Sequence, residues 1–228
     1  MTRPDASFRD LAHRARRPEP DVATLDVDAA PADPFRLFLD WFADAVDAGV
    51  AQPQAAVLAT VSTGGGASAR VVLLKDVDDA FSFSTSAESP KGRDVAAEPR
   101  VALTLFWPDR GRQVRVVGTV EPSERPVAEQ DFRHRHPETR AAAVAVRQSD
   151  PVPGEDDLGA RLEAARAALE ADPDLVPEDW RVLRVVPTSV EFWQGTTGRD
   201  QVRVAYRREG EGEGEGEGAG WSRTALWP

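Results

Sequence analysis

Cysteine is absent from the 228-residue chain. That excludes a disulfide framework, a thiolate metal site and a cysteine nucleophile. Lysine is almost absent: of 28 basic residues only Lys75 and Lys91 are lysine, the rest being arginine. A compact ammonium on a flexible stem is not interchangeable with a planar guanidinium, so those two positions attract notice. Histidine occurs only at 13, 134 and 136. His134 and His136, two apart on an expected helix, would point to different faces, which argues against a metal site. No apolar run approaches the ~20 residues of a membrane helix. Met1-Thr2-Arg3-Pro4-Asp5 contains no apolar stretch of a signal peptide, so a cytoplasmic location is expected. The net charge of −11 argues against non-specific nucleic-acid binding, which needs a basic surface. Neither a Walker loop nor a Gly-x-Ser-x-Gly elbow occurs, and Gly64-Gly65-Gly66 reads as turn chemistry.

The order of elements is legible in the patterning. Residues 1–32, rich in Pro, Asp, Ala and Arg, read as a flexible N-terminal arm. Asp33-Pro34 opens a helix over 34–48, with Phe35, Phe38, Phe42 and Val46 at spacings of three and four and Gly49 as its stop. Ala55–Ser62 and Ser68–Lys75 form a hairpin around Thr63–Gly66, Phe81 and Phe83 mark another strand, and Pro90–Glu98 a short helix. Val101–Trp107 and Gln113–Val120 form a second hairpin around Pro108–Gly111. Helices are expected over Pro126–Arg135, Glu138–Val146 and Gly159–Ala171, then strands over Trp180–Val186, Ser189–Trp193, Val202–Arg208 and Trp221–Leu226. Residues 209–218 alternate Glu and Gly and read as an expanded hairpin tip, which loop entropy tolerates cheaply. Consecutive strands with late helices indicate an α+β domain over 33–228 on a small antiparallel barrel.

Cationic and amide side chains gather at strand and helix ends: Arg70 to Lys75, Ser84-Thr85, Lys91-Gly92-Arg93, Arg112-Gln113-Val114, Arg147-Gln148-Ser149 and Glu191-Phe192-Trp193-Gln194. Such groups hold a phosphate by charge-assisted bonds, and Gln and Trp suit the edge and face of a planar heteroaromatic ring. Arg70 and Lys75 are five apart and face opposite ways on an ideal strand, so a bulge is required if both meet one ligand.

With the Asp33-Pro34 helix and the C-terminal proline, these segments resemble, in order and spacing, the pyridoxamine 5′-phosphate oxidase family. The resemblance runs from Asp33 to Pro228. It implies a split β-barrel with flanking helices, a homodimer holding FMN at the subunit interface. It implies FMN contacts from Arg70, Val71, Val72, Leu73, Leu74, Lys75, Ser84, Thr85, Lys91, Gln113, Gln148, Ser149, Trp193 and Arg203. The family holds its substrate's phosphate with a Lys, a Tyr, an Arg and a Ser. Lys75 and Arg135 match, Thr139 stands at the Ser and Asp131 at the Tyr. A carboxylate there repels a phosphate dianion unless an arginine such as Arg133 neutralises it. The family's Arg-Leu-His-Asp-Arg segment reads Arg199-Asp200-Gln201-Val202-Arg203, which implies Arg199 over the reacting carbon and Gln201 beside the substrate. The family's Arg before its FMN-phosphate lysine is here Pro90. The implied activity is oxidation of pyridoxamine or pyridoxine 5′-phosphate to pyridoxal 5′-phosphate, with O2 reduced to H2O2. Two alternatives stand beside it: a phenazine-pathway type of flavin oxidase acting on a reduced tricyclic compound, and a split barrel that binds FMN or pyridoxal phosphate without catalysis.

Overall fold

The Asp-Pro pair acts as a helix start. In the computed structural model, which describes residues 8–14, 22–151, 155–195, 201–210 and 220–228, the Asp33 carboxylate accepts the Phe35 amide at 2.9 Å. Pro34 then supplies the first residue of a helix over Pro34–Asp47, where its missing N–H costs nothing. This is α2, since a short α1 covers Phe8–Arg14 inside the expected arm. The buried face of α2 differs in part from the one its spacing predicts. Phe35, Phe38, Leu37, Trp41 and Ala45 are buried, whereas Val46 is exposed. The stripe turns because the aromatic rings seek the barrel interior. Phe38 meets Phe81 edge-on at 5.0 Å, and Trp41 meets Phe192 at 5.2 Å. Each such buried ring contributes about 2–3 kcal/mol of apolar burial.

Eight antiparallel strands build the sheet: β1 (Ala55–Val61), β2 (Ala67–Val77), β3 (Phe81–Ser86), β4 (Arg100–Trp107), β5 (Arg112–Pro122), β6 (Trp180–Gly195), β7 (Gln201–Arg208) and β8 (Trp221–Leu226). Their order is β3-β2-β1-β4-β5-β6-β7-β8, and β3 pairs back onto β6. Six strands therefore close into a barrel and β7-β8 run off its seam. The seam lies within β6: Trp180–Val185 pair with β3, while Ser189–Gly195 pair with β7. This split antiparallel barrel with flanking helices is the expected fold. Inward residues such as Leu58, Leu103, Leu105, Val114, Val116 and Phe192 have no exposed surface.

The two strands expected over Trp180–Val186 and Ser189–Trp193 are one strand, β6. Proline ordinarily interrupts a ladder because it has no N–H. Pro187 sits where the β5–β6 register slips, opposite Gly118, so a bulge absorbs it. Gly118 is required there: a Cβ would lie 2.2 Å from the Val186 carbonyl oxygen.

Helices α3 (Pro90–Ala97), α4 (Arg125–Arg133), α5 (Pro137–Ala145) and α6 (Glu155–Ala171) flank the barrel. Ala128 and Phe132 of α4 pack with Trp180 and Val182 in a second small core. His134 and His136 fall in the turn between α4 and α5, where His136 Nδ1 accepts the Glu138 amide as an N-cap.

The boundary expected at residue 33 falls inside a packed segment. Ala30 is buried, and Leu25 and Val27 pack against the main core. Buried Gln194 accepts the Leu25 amide at 2.8 Å and donates to the Ala23 carbonyl at 2.9 Å. The composition of residues 22–32 is that of an arm, but a buried amide and an apolar groove overrule composition. The flanks of the Glu-Gly segment form the expected hairpin, β7 with β8, and most of that segment lies outside the described residues. No helix among the described residues is long and apolar enough to cross a membrane.

Candidate active site

A groove of about 1560 Å3 runs along the outside of the barrel between β2, the end of β3, the start of α3, the α5 region and the foot of β6. Twelve of the expected residues line it: Arg70, Val71, Val72, Leu73, Lys75, Ser84, Thr85, Lys91, Arg135, Thr139, Gln148 and Ser149.

At one end the chain builds an anion cradle. Ser89 caps α3, its Oγ accepting the Gly92 amide at 3.1 Å and donating to the Ser86 carbonyl at 2.8 Å. A helix N-terminus carries partial positive charge and free amides. Gly92 lets it sit tight on the preceding turn, since a Cβ would lie 2.5 Å from the Ser86 and Ala87 carbonyl oxygens. Lys91 is only 9% exposed and its ammonium donates to Gln148 Oε1 at 2.5 Å. Burial, with repulsion from Arg70, pushes its pKa down from 10.5 to about 8. An ammonium so desolvated is poised for an anionic partner.

Arg70 is held rather than free. It donates to Thr60 Oγ1 at 2.7 Å and Ser68 Oγ at 2.7 Å, and pairs with Asp94 at 3.2 Å. Asp94, 4% exposed, also accepts from Thr60 Oγ1 at 2.8 Å. Nothing in the sequence pattern singles out Asp94. Its only signal is a carboxylate inside a short helix, and its partners are distant in the chain until the barrel closes. Ser149 carries a φ of +73°, a conformation that costs a non-glycine residue about 1 kcal/mol or more.

The bulge needed in β2 is present. Leu74 pairs with Phe83 and Asp76 with Ser82, leaving Lys75 as the extra residue. Arg70 and Lys75 thereby line one groove. Leu74, expected among the contacts, is instead buried in the barrel core, because it alternates inward with Val72.

Toward α4 and α5 lies a second charged cluster. Asp131 accepts from Trp180 Nε1 at 3.0 Å and lies 3.9 Å from Lys75 and 4.0 Å from Arg135. Arg133, expected to neutralise it, pairs instead with Glu129 and Asp174. Residues two apart on a helix do not share a face. Arg135, in the turn beyond the end of α4, takes the place expected of Arg133. Arg135 donates to Ser84 Oγ at 3.2 Å and lies over the Trp180 ring at 4.6 Å.

Gln113, Trp193 and Arg203 do not line this groove. They form a row of cross-strand neighbours over β5, β6 and β7. Trp193 Nε1 donates to Gln201 Oε1 at 2.9 Å, and Arg203 pairs with Glu191 at 2.7 Å. Arg199 lies outside the described residues. The expected contact set thus falls into two groups within one chain. Between them the outer face of the barrel is apolar: Val57, Val61, Val71, Leu73, Phe106 and Val117 are 38–64% exposed. Contiguous apolar surface of this kind marks an interaction face.

The sequence pattern of the pyridoxamine 5′-phosphate oxidase family matches residues 42–194. That of the pyridoxine 5′-phosphate oxidase C-terminal dimerisation region matches residues 180–228. The pyridoxine/pyridoxamine 5′-phosphate oxidase of Rubrobacter xylanophilus is 39% identical over 226 residues, spanning 99% of this chain and all of the relative. The enzyme of the same description from Cupriavidus taiwanensis is 44% identical over 186 residues, 81% of this chain and 87% of the relative. Among solved structures, PhzG from Burkholderia lata in complex with tetrahydrophenazine-1-carboxylic acid superimposes with a TM-score of 0.81 at 28% identity, covering 92% of this chain and all of that one. Sequence pattern, full-length relatives and barrel agree, and the chain belongs to the pyridoxamine 5′-phosphate oxidase family.

Proposed function

We propose that the protein is a homodimeric, FMN-dependent oxidase that converts pyridoxamine or pyridoxine 5′-phosphate to pyridoxal 5′-phosphate. The observation that carries this is the groove with a cationic cluster at each end, Lys91 with the α3 N-terminus at one and Lys75 with Arg135 at the other. The donor set fits a flavin phosphate: a buried ammonium, a capped helix N-terminus and the Gln148 amide converge there. FMN, when bound, supplies the redox chemistry, taking a hydride from the substrate carbon and passing the electrons to O2. For the amine the balance is R–CH2–NH3+ + O2 + H2O → R–CHO + NH4+ + H2O2.

The chain's own residues bind and orient. Lys91 neutralises the cofactor phosphate, with Gln148 holding its ammonium in place. Arg70, clamped by Asp94 and Thr60, contributes a fixed positive potential. Val71 to Leu73 present the edge of β2 to the ring. Lys75, Arg135 and Thr139 receive the anionic group of the substrate, and the resemblance assigns Arg199 the place over the reacting carbon. Gln113, Trp193 and Arg203 reach a flavin only when a second copy brings its sheet against the apolar outer face. That arrangement and the match of residues 180–228 to a dimerisation region support the dimer, and holding two reactants in position lowers the entropic part of the barrier.

A second reading keeps the flavin and changes the substrate to a reduced tricyclic carboxylate. Asp131 favours it, since a carboxylate between Lys75 and Arg135 removes part of the attraction for a phosphate. The test is anaerobic. FMN-loaded protein is mixed with pyridoxamine 5′-phosphate and the flavin absorbance followed. Bleaching that reverses in air supports the first reading. Persistent yellow with retained FMN refutes it and leaves the second, or a split barrel that binds FMN without catalysis.

A further inference from the structure

Two cations at the α4 end of the groove share one carboxylate. Asp131 has a side chain only 14% exposed, and its Oδ1 lies 3.9 Å from the Lys75 ammonium of β2. Its Oδ2 accepts from Trp180 Nε1 of β6 at 3.0 Å and lies 4.0 Å from Arg135. Arg135 is itself fixed, by Ser84 Oγ of β3 at 3.2 Å and by the Trp180 ring beneath it. Its Nε is buried without a hydrogen-bond partner. The neighbouring Arg133 does not restore the lost charge, being paired with Glu129 and Asp174. Glu178 and Asp179 line the same groove, Asp179 accepting from Ser86 Oγ.

Lys75, Arg135 and Asp131 together offer one net positive charge to an anion settling among Lys75, Arg135 and Ser84, and Glu178 and Asp179 weaken the attraction further. Attraction to a single net positive charge grows linearly with the charge of the anion, whereas the cost of removing its water grows with the square of that charge, so the second charge of a dianion is costly in such a partly enclosed site. We propose that Asp131 is a specificity-determining residue that tunes this end of the groove to a singly charged anionic group, a carboxylate or a singly ionised phosphate ester, over a phosphate dianion. The inference rests on the reading of the groove as a flavin-and-substrate site.

The test is binding to FMN-loaded protein at pH 8, where a phosphate monoester, with its second pKa near 6, is a dianion. The probes are 4-deoxypyridoxine 5′-phosphate, which lacks the oxidisable group; its 5′-phosphate monomethyl ester, which carries one charge; and phenazine-1-carboxylate. The wild type is expected to bind the methyl ester about tenfold more tightly than the dianion, the effect of one partly screened unit charge. Asp131→Asn keeps the size and the acceptor for Trp180 and is expected to abolish that preference, a shift of about tenfold toward the dianion. Tighter binding of phenazine-1-carboxylate than of the methyl ester identifies a carboxylate as the natural group, and the opposite order a phosphate. The wild-type comparison stands alone if the variant does not fold. A wild type that prefers the dianion, or a variant with unchanged preference, overturns the proposal while leaving the oxidase reading intact. FMN-loaded protein that binds none of the three overturns both.

Discussion

Lys91 offers the sharpest consequence of the cradle. Its ammonium sits under the start of α3, nearly enclosed, with Gln148 Oε1 at 2.5 Å and Ser89 Oγ at 3.5 Å. Burial first, and Arg70 second, bring its pKa down to about 8. About 90% of the protein carries the charged ammonium at pH 7 and about 10% at pH 9, so if only that form binds phosphate, the apparent Kd for FMN rises about tenfold over the interval. FMN's own phosphate does not produce this slope, its second pKa lying near 6. The sign for folding is opposite in the free protein. A lysine whose folded pKa lies below its unfolded one disfavours the folded state below pH 8, and that penalty is lifted as pH rises from 8 toward 10.5. Bound phosphate restores the proton and removes the penalty, so FMN should raise the melting temperature more at pH 7 than at pH 9. Fluorescence titration at constant ionic strength measures the slope, with riboflavin, which lacks the phosphate, as the flat control. Lys91→Met should bind FMN weakly and without pH dependence. A wild-type Kd that stays level from pH 7 to 9, or a slope that survives in Lys91→Met, refutes the placement of the phosphate on this lysine.

Two further outcomes test the barrel and its outer face. Gly118→Ala places a methyl 2.2 Å from the Val186 carbonyl oxygen and should cost about 3 kcal/mol, read as a lower urea midpoint at unchanged slope; a midpoint within error of wild type means the β5–β6 bulge yields without strain. Val71→Glu with Phe106→Glu puts charges on the exposed apolar face, outside the core. Sedimentation should show a folded monomer that has lost FMN affinity, and a persisting dimer places the interface elsewhere.

Much of the fold is legible in the sequence because its signals are local. Asp33-Pro34 is a cap with a mechanism, and the two hairpins announce themselves by β-branched runs broken by turn residues. The departures also have physical causes. Pro187 reads as a break because a ladder usually needs its N–H, and only the partner strand's Gly118 supplies the bulge that accommodates it. Residues 22–32 read as an arm because they are polar, yet Gln194, 169 residues from Leu25, satisfies their backbone. Val46 carries the spacing of a core residue and is exposed, since the stripe bends toward Trp41.

The candidate site divides the same way. Lys75 and Lys91 stand out by their rarity in an arginine-rich chain, and the need for a bulge before Lys75 follows from counting residues along a strand. Residue type and spacing thus determined the elements, the antiparallel class and most of the groove's chemistry, because each depends on neighbours within a few positions. The tertiary structure decided the rest. It brought α3 onto β1 and locked Arg70 against Asp94. It set Asp131 between Lys75 and Arg135 instead of beside Arg133, and it left Gln113, Trp193 and Arg203 on a different face from the groove. Those outcomes depend on which distant strands share an edge and on charges that meet only across the barrel, and no local pattern encodes a through-space distance.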